Sequence, residues 1–166
     1  RQRQMCIRDR YATHMRNEDD TLLEAIDEAL EISRKSGVNL EISHLKACNV
    51  NNWGKIDTAI AKIEEASKTL PVHADRYPYN AWGTSLTTFL PKWARTGSSD
   101  DIIKRLKDRK TFKEITSYMY KRANRIGGWD KIMISRCNSA KNKVYEGKTL
   151  AQCSEISGLE PTAVSY

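Results

Sequence analysis

The sequence predicts an α/β fold built on parallel strands, and three observations lead to this prediction. Apolar residues alternate between strand-like and helix-like spacing over the first half of the chain, in the order β-α-β-α-β. Each strand-helix unit takes about 30 residues, the size of a right-handed parallel crossover. His14, His44 and Asp75 each stand at the end of a predicted strand. Parallel α/β folds place their chemistry at that edge, in closed barrels and in open sheets alike.

The first predicted helix lies between a short strand at residues 11–14 and Gly37. Asp19 or Asp20 can cap its N-terminus, and glycine is a common residue just beyond the end of a helix. The apolar positions recur at helical spacing and are Leu22, Leu23, Ile26, Leu30 and Ile32. This spacing predicts one apolar face that packs against the sheet.

The next strand and helix repeat the arrangement. Residues 38–43 alternate at period two, which is typical of a strand. After a polar loop, a helix is predicted over about 56–68, with Ile60 and Ile63 on its inner face. A third strand is predicted over 71–75.

Beyond the third strand the pattern changes. Residues 76–98 are rich in aromatic residues, Thr, Ser and Pro, which indicates a long loop over the active-site face. Amphipathic helices are predicted near 100–108 and 112–125, a strand over 131–135, and a last helix over 149–156.

The first ten residues, RQRQMCIRDR, have no apolar periodicity and are similar to a translated transposase-type sequencing adapter. We therefore expect residues 1–10 to be a library artefact and exclude them from the fold. Without their four arginines and one aspartate, the 28 basic and 21 acidic residues of the chain become 24 and 20, and the formal charge falls from +7 to +4.

The composition argues against several classes of protein. The remaining charges are interspersed, and short basic clusters at 104–110 and 121–125 indicate solvated helix faces, so no nucleic-acid partner is expected. No GxGxxG or GxxxxGK turn follows a predicted strand, which argues against dinucleotide and P-loop binding. No segment approaches the ~20 apolar residues of a membrane span. Four cysteines without a CxxC pair fit a reduced, cytoplasmic protein.

His14 and His44 are candidate metal ligands. Neighbouring strands lie about 4.8 Å apart and imidazole–metal bonds measure about 2.0–2.1 Å, so both side chains can reach one ion without strain. Neutral histidine suits zinc, which in hydrolases polarises the scissile carbonyl. The spacing alone leaves open whether the two histidines are metal ligands or ordinary polar residues at strand ends.

Five segments carry a resemblance to a known family. They are YATHMR at 11–16, ISHLK at 42–46, NWGK at 52–55, DRYPY at 75–79 and YEGKTL at 145–150. In this order and at this spacing they resemble the D-aminoacylase family, the N-acyl-D-amino-acid deacylases of the amidohydrolase superfamily.

The resemblance covers about residues 11–160 and implies a fold and a reaction. The fold is a partial (β/α)8 TIM-type barrel, truncated at both ends, with a helical insertion near 99–126 in a catalytic-barrel fragment that spans 11–166. The reaction is the zinc-dependent hydrolysis of N-acyl-D-amino acids, small-molecule substrates, to a D-amino acid and a carboxylate. One or two Zn2+ ions are implied.

The resemblance also implies residue roles. His14 and His44 match metal ligands, and Lys46 and Tyr77 match residues that contact the substrate carboxylate. Arg16 is a further candidate for that contact. Cations and phenols donate charge-assisted hydrogen bonds to carboxylates, so these residue types suit the role.

Part of the family's catalytic machinery does not appear in the sequence. The His-x-His pair of the first strand, the ligating cysteine and the aspartate that serves as ligand and general base have no match. We therefore expect no catalytic residue within this chain, the general base to lie downstream of it, and the chain alone to be inactive. Asp75 is interpreted as a structural carboxylate that caps a turn.

Two alternatives stay open at this point. Another amidohydrolase, such as a dihydroorotase- or hydantoinase-like cyclic amidase, shares histidines at strand ends but not the DRYPY segment. A non-catalytic basic binding module would bind nucleic acid in a strongly salt-dependent manner and require no metal.

Overall fold

The structure is a computed structural model and describes residues 10–165. The chain divides into two compact units, with the boundary between Asn80 and Ala81. The predicted adapter segment, apart from Arg10, lies outside the described residues. Arg10 itself is the first residue of the first strand.

The first unit has the predicted β-α-β-α-β order. Its elements are β1 (Arg10–Thr13), α1 (Leu22–Ser36), β2 (Asn39–Ile42), α2 (Ile56–Ser67) and β3 (Val72–Ala74), with a 3-10 turn at Val50–Lys55. The three strands form one parallel sheet in the order β1-β2-β3. The prediction of a mixed α/β fold with parallel strands is confirmed.

The core of the first unit forms where α1 covers the sheet. Leu22 and Ile26 of α1, and Leu40 and Ile42 of β2, are completely buried. Full burial of a side chain of this size contributes about 1.5–3 kcal/mol. The helix ends at Gly37, whose left-handed conformation (φ 71°) is easily adopted without a Cβ atom, and whose N–H donates to the Ser33 carbonyl at 2.9 Å. This tight exit returns the chain directly into β2.

Three local predictions in this unit are wrong. Ile32, expected on the apolar face of α1, is 40% exposed. Ile60 is 42% exposed, because Ala59 and Ala66 form the buried face of α2 instead. The N-cap position of α1 is occupied by Thr21, without a side-chain cap bond, rather than by an aspartate. The Asn17 carboxamide oxygen accepts the Asp19 and Thr21 N–H groups, at 2.8 and 3.0 Å, and shapes the turn before the helix.

The second unit is mainly helical. Its helices are α3 (Ser99–Lys107), α4 (Arg109–Ile126), α5 (Leu150–Ser157) and α6 (Pro161–Val164), and its 3-10 turns are Leu86–Phe89, Lys92–Arg95, Trp129–Lys131 and Ala140–Tyr145. It has its own apolar core, in which Ile115, Met119 and Leu150 are almost completely buried. The predicted helices near 100–108, 112–125 and 149–156 are confirmed.

The strand predicted over 131–135 is not formed. Residue Met133 makes a single antiparallel bridge with Thr149. Ile132 and Ile134 on either side are buried, and their backbone groups form hydrogen bonds with residues 147–150, so the segment makes a short antiparallel pairing rather than a full strand. A ladder needs a longer paired segment, and α5 begins at Leu150, directly after the bridge.

Within residues 10–165, no helix is both long enough and apolar enough to cross a membrane.

Candidate metal centre

The two histidines are brought together by the register of the parallel sheet. Thr13 of β1 pairs with Ile42 of β2, and the Ser43 N–H continues this pairing by donating to the Thr13 carbonyl at 3.1 Å. His14 and His44 follow directly at the carboxyl ends of the two strands. One crossover connection, which contains α1, therefore brings the two histidines close together in space although they are far apart in sequence.

The backbone at His44 has an uncommon conformation that Asp75 supports. His44 has a φ of 46°, in the left-handed region, which non-glycine residues rarely adopt. Its N–H donates to the Asp75 carboxylate at 2.7 Å, and the Leu45 N–H donates to the Asp75 carbonyl at 2.9 Å. Asp75 thus holds the turn that follows β2, which supports its interpretation as a structural carboxylate.

The imidazoles of His14 and His44 face each other. Their ring centroids are 4.4 Å apart, the planes are inclined by 27°, and Nδ1 of His14 is in direct contact with Nε2 of His44. A shared metal ion would use both nitrogens as donors and would require the rings to separate enough to admit it.

A carboxylate and an ammonium group adjoin this pair. Glu18 Oε1 lies 2.8 Å from His44 Nδ1, and Glu18 Oε2 lies 2.6 Å from Lys46 Nζ. Lys46 Nζ is also 2.9 Å from the same His44 nitrogen and 3.1 Å from the His44 carbonyl oxygen. All three side chains are only 18–25% exposed, so the electrostatic interactions within this cluster are weakly screened.

Tyr77 belongs to the same neighbourhood. Its phenol is half-buried, and burial raises its pKa above the usual value. The nearby Cys48 and Glu18 groups raise the pKa further, because a second negative charge is unfavourable there. Tyr77 therefore stays a neutral hydrogen-bond donor at neutral pH.

Arg16 is engaged elsewhere on the same side of the first unit. Its guanidinium binds the Glu28 carboxylate of α1 through two parallel contacts, at 2.8 Å from Nε and 2.6 Å from a terminal nitrogen. This partner raises the pKa of Arg16 and lowers that of Glu28. The pair borders a shallow cleft that Thr13 and His14 also line. Of the predicted substrate-contacting residues, Lys46 and Tyr77 lie in the histidine neighbourhood, while Arg16 is paired with a helix residue.

The third histidine of the chain is separate from this pair. His73 is exposed on β3 and pairs in register with Glu41 of β2. Among residues 10–165, no group of three or more His, Cys, Asp and Glu side chains is arranged to hold a metal ion. Among the described residues, His14 and His44 are the predicted ligands whose ring nitrogens come into contact.

Glu18 is the site residue that the sequence prediction missed. It occupies a loop, where periodicity gives no information. The one signal that could have found it is its position four residues after His14, in the loop that leaves the functional edge of β1.

Similar proteins of known activity exist for part of the chain. The chain is 36% identical over 93 residues to an N-acyl-D-glutamate deacylase of Alcaligenes xylosoxydans xylosoxydans. The aligned residues make up 55% of this chain and 18% of the relative. A D-aminoacylase of the same organism is 38% identical over 76 residues, covering 46% and 16%. The chain thus spans less than one fifth of the length of these relatives. No family model matches the chain.

Solved structures resemble nearly the whole chain. The N-acyl-D-glutamate deacylase of Bordetella bronchiseptica, complexed with zinc and a phosphonate mimic of the tetrahedral intermediate, superposes with a TM-score of 0.63 and 24% identity over 95% of this chain and 26% of its own. A D-aminoacylase structure described as defining a novel subset of amidohydrolases gives a TM-score of 0.58 and 25% identity, over 94% and 25%. The predicted resemblance to D-aminoacylases is confirmed for the matched part of the chain.

Proposed function

We propose that this chain is part of a zinc-dependent hydrolase that cleaves N-acyl-D-amino acids into a D-amino acid and a carboxylate. The observation that carries the proposal is the convergence of His14 Nδ1 and His44 Nε2 at the carboxyl ends of two paired parallel strands. The relatives named as deacylases of N-acyl-D-glutamate and N-acyl-D-aspartate support the substrate class. The D-amino acid and the acyl group are both parts of a small molecule, and no nucleic-acid or membrane partner is proposed.

The residues that would hold zinc are His14 and His44. Their facing nitrogens form a donor set that fits the metal, and Glu18 Oε1 is a buried oxygen without a hydrogen bond beside one of the two rings. Bound zinc would supply Lewis acidity that polarises the amide carbonyl. One or two ions are proposed, in line with a structural neighbour described as having a binuclear metal centre. Further ligands would come from outside the described residues.

Lys46, Tyr77 and Arg16 are proposed to recognise the substrate carboxylate. Lys46 contributes a positive charge next to the histidines, and Tyr77 contributes a neutral O–H donor in the same neighbourhood. Arg16 would have to exchange its contact with Glu28 for the substrate, which costs little because the pair is largely exposed. Anionic substrates are therefore favoured over neutral amides.

We further propose that the three strands belong to a (β/α)8 barrel that other segments complete. In the described residues, β1 and β3 each pair with a strand on one side only. Open parallel edges expose unpaired N–H and C=O groups and promote aggregation. The chain by itself is therefore expected to be inactive and prone to association.

A cytoplasmic location is also proposed. It rests on Cys137 and Cys153, which are free thiols among the described residues, as expected of a protein from a reducing compartment.

The open reading frame around this coding sequence provides the test. The proposal requires an upstream His-x-His segment and a downstream metal-binding aspartate, and it requires the adapter-like residues 1–10 to be absent from the genomic sequence. The protein encoded by that frame should release D-amino acids from N-acetyl-D-glutamate, N-acetyl-D-aspartate or N-acetyl-D-methionine, lose this activity to a chelator, and leave the L-enantiomers intact. Each substitution His14→Ala and His44→Ala should remove the activity, while His73→Ala serves as the matched control.

Other outcomes would contradict the proposal. Hydrolysis of dihydroorotate or hydantoins without action on linear N-acyl-D-amino acids would indicate a cyclic amidase. Nucleic-acid binding that weakens steeply with salt, together with no metal requirement, would indicate a binding module.

A further inference from the structure

The Glu18 carboxylate is the one charged group of the site for which the proposed function gives no role. It lies in the loop between β1 and α1, and its side chain is 21% exposed. The loop is fixed by a backbone hydrogen bond from the Cys48 N–H to the Glu18 carbonyl, at 2.6 Å. The Glu18 carboxylate is therefore held next to His44 and Lys46, and its contacts with these two residues can affect the state of the His44 ring.

Glu18 Oε1 is close to His44 but has no hydrogen bond. It is inaccessible to solvent and accepts no hydrogen bond from any described residue, although His44 Nδ1 lies only 2.8 Å away. The imidazole is not turned so that an N–H at this nitrogen would be aligned with the oxygen. A buried acceptor without a partner costs about 1–3 kcal/mol. A small rotation of the His44 ring would satisfy it.

Lys46 competes for the same ring nitrogen. Its Nζ lies 2.9 Å from His44 Nδ1 and can donate a hydrogen bond to that atom. Neutral imidazole carries a proton on one nitrogen only, so a hydrogen bond from Lys46 to Nδ1 would leave the proton on Nε2. Nε2 is the nitrogen that faces His14, and a protonated nitrogen cannot bind a metal.

We propose that Glu18 is a positioning residue that selects the metal-competent tautomer of His44. After a small rotation of the His44 ring, Glu18 Oε1, which lies 2.8 Å from Nδ1, accepts the Nδ1–H of His44. Glu18 Oε2 binds the Lys46 ammonium at 2.6 Å and so competes with the contact of that ammonium to the same nitrogen. The lone pair of Nε2 is then directed towards His14 and towards zinc. This arrangement of carboxylate, histidine and metal rests on the proposed function, since it assigns His44 as a ligand.

The tautomer of His44 provides a readout that is independent of activity. The 166-residue chain is labelled with 15N at histidine, kept free of metal and studied by NMR at pH 8, where ordinary imidazole is neutral. We expect His44 to carry its proton on Nδ1. In Glu18→Met, which keeps the side-chain length but removes both acceptors, Lys46 donates to Nδ1 and the proton moves to Nε2. In Glu18→Met combined with Lys46→Met, the Lys46 donor is absent as well, and the fraction of His44 protonated on Nδ1 should rise above that of Glu18→Met alone.

Metal affinity provides the second readout, with cobalt(II) as the spectroscopic probe for zinc. Loss of an outer partner of a metal-binding histidine typically weakens metal binding by about 10–100-fold, and we expect Glu18→Met to have an effect of this size. Glu18→Gln keeps one acceptor oxygen and should restore part of the affinity. Glu28→Met is the matched control, because Glu28 forms an equally close ion pair with Arg16 but does not contact the histidines.

The outcomes separate this inference from the proposed function. An Nε2-protonated His44 in the wild-type chain overturns the role of Glu18, even if Glu18→Met fails to fold. Unchanged tautomer and cobalt affinity in a folded Glu18→Met variant overturn it as well. If the wild-type chain shows the expected tautomer but the protein encoded by the complete open reading frame shows no cobalt binding that depends on His14 and His44, the positioning contact stands and the metal site of the proposed function fails.

Discussion

His14 Nδ1 and His44 Nε2 face each other across β1 and β2, with the two ring centroids 4.4 Å apart. The contact joins residues from two consecutive strand-helix units. It arises because both residues follow strands that run parallel and pair in register, Thr13 with Ile42. The pair is the centre of the proposed zinc site.

Removal of either histidine should reduce metal binding. We expect His14→Ala and His44→Ala each to weaken cobalt(II) binding by about tenfold or more. Loss of a residue that only hydrogen-bonds to a metal ligand has an effect of this size, and these substitutions remove a donor atom itself. Absorption titration of the protein encoded by the complete open reading frame measures this. His73→Ala should bind like the wild type, since His73 is exposed on β3, and a loss of binding in that variant would refute the assignment.

The packing of the first unit predicts a contrast between two apolar residues. Leu40 is completely buried in β2, whereas Ile60 of α2 is 42% exposed. Leu40→Ala should lower the free energy of unfolding by about 2–5 kcal/mol, because it leaves a cavity in the core. Ile60→Ala should change it by about 0.5 kcal/mol or less, as is usual for surface substitutions. Urea unfolding followed by circular dichroism compares the two, and equal effects would contradict the observed orientation of α2.

The Tyr120–Glu160 hydrogen bond predicts a dependence of stability on alkaline pH. The Tyr120 hydroxyl donates to the Glu160 carboxylate at 2.7 Å, and this bond, followed by burial, raises the pKa of Tyr120. The folded state therefore keeps the proton in a range where the unfolded chain, with a tyrosine pKa of about 10, has lost it. The contribution of this group is complete below pH about 10 and is lost as the pH rises through the folded-state pKa.

Tyr120→Phe should therefore show a smaller loss of stability above pH about 10 than the wild type. Thermal unfolding at a series of pH values measures the difference. Tyr118→Phe is the control, because Tyr118 lies on the same helix and is similarly exposed, at 40% against 38%. Identical pH profiles for wild type and Tyr120→Phe would show that the bond does not form in solution.

The start of α3 predicts the effect of removing a helix cap. The Ser98 hydroxyl accepts the Asp101 N–H at 3.2 Å, while the Asp101 carboxylate accepts the Ser98 N–H at 2.8 Å. Ser98→Ala should destabilise the protein by about 0.5–2 kcal/mol, the usual cost of losing such a cap. Ser99→Ala, one position further on, removes no cap and should have little effect in the same unfolding experiment. A larger loss from Ser99→Ala would contradict the observed helix start.

The fold of the first unit was largely predictable from the sequence. Periodicity identified both helices and all three strands, because each element has one face of regularly spaced apolar residues that is buried in the core. The position of His14 and His44 at strand ends followed from the same patterns. Ile60 was misplaced because small residues, Ala59 and Ala66, face the core of α2, and a pattern weighted by apolar size does not reveal this.

The second unit was less predictable. Its helices have clear amphipathic patterns, but the alternation at 131–135 corresponds to a short pairing with residues 147–150, in which Ile132 and Ile134 are buried, and not to a full strand. A strand exists only if another segment pairs with it, and such pairing is a property of the tertiary structure. Local periodicity reports which side of a segment is buried and not which element covers it.

The sequence by itself determined the order of strands and helices, the alignment of His14 and His44 at one sheet edge, and the resemblance to D-aminoacylases. Only the tertiary structure decided which side chains meet at that edge. Glu18 reaches His44 and Lys46 through a loop whose course depends on a hydrogen bond from Cys48, and Arg16 is paired with Glu28 by the packing of α1 against the sheet. Contacts of this kind join residues that are distant in sequence, and their geometry follows from the packed core rather than from any local pattern.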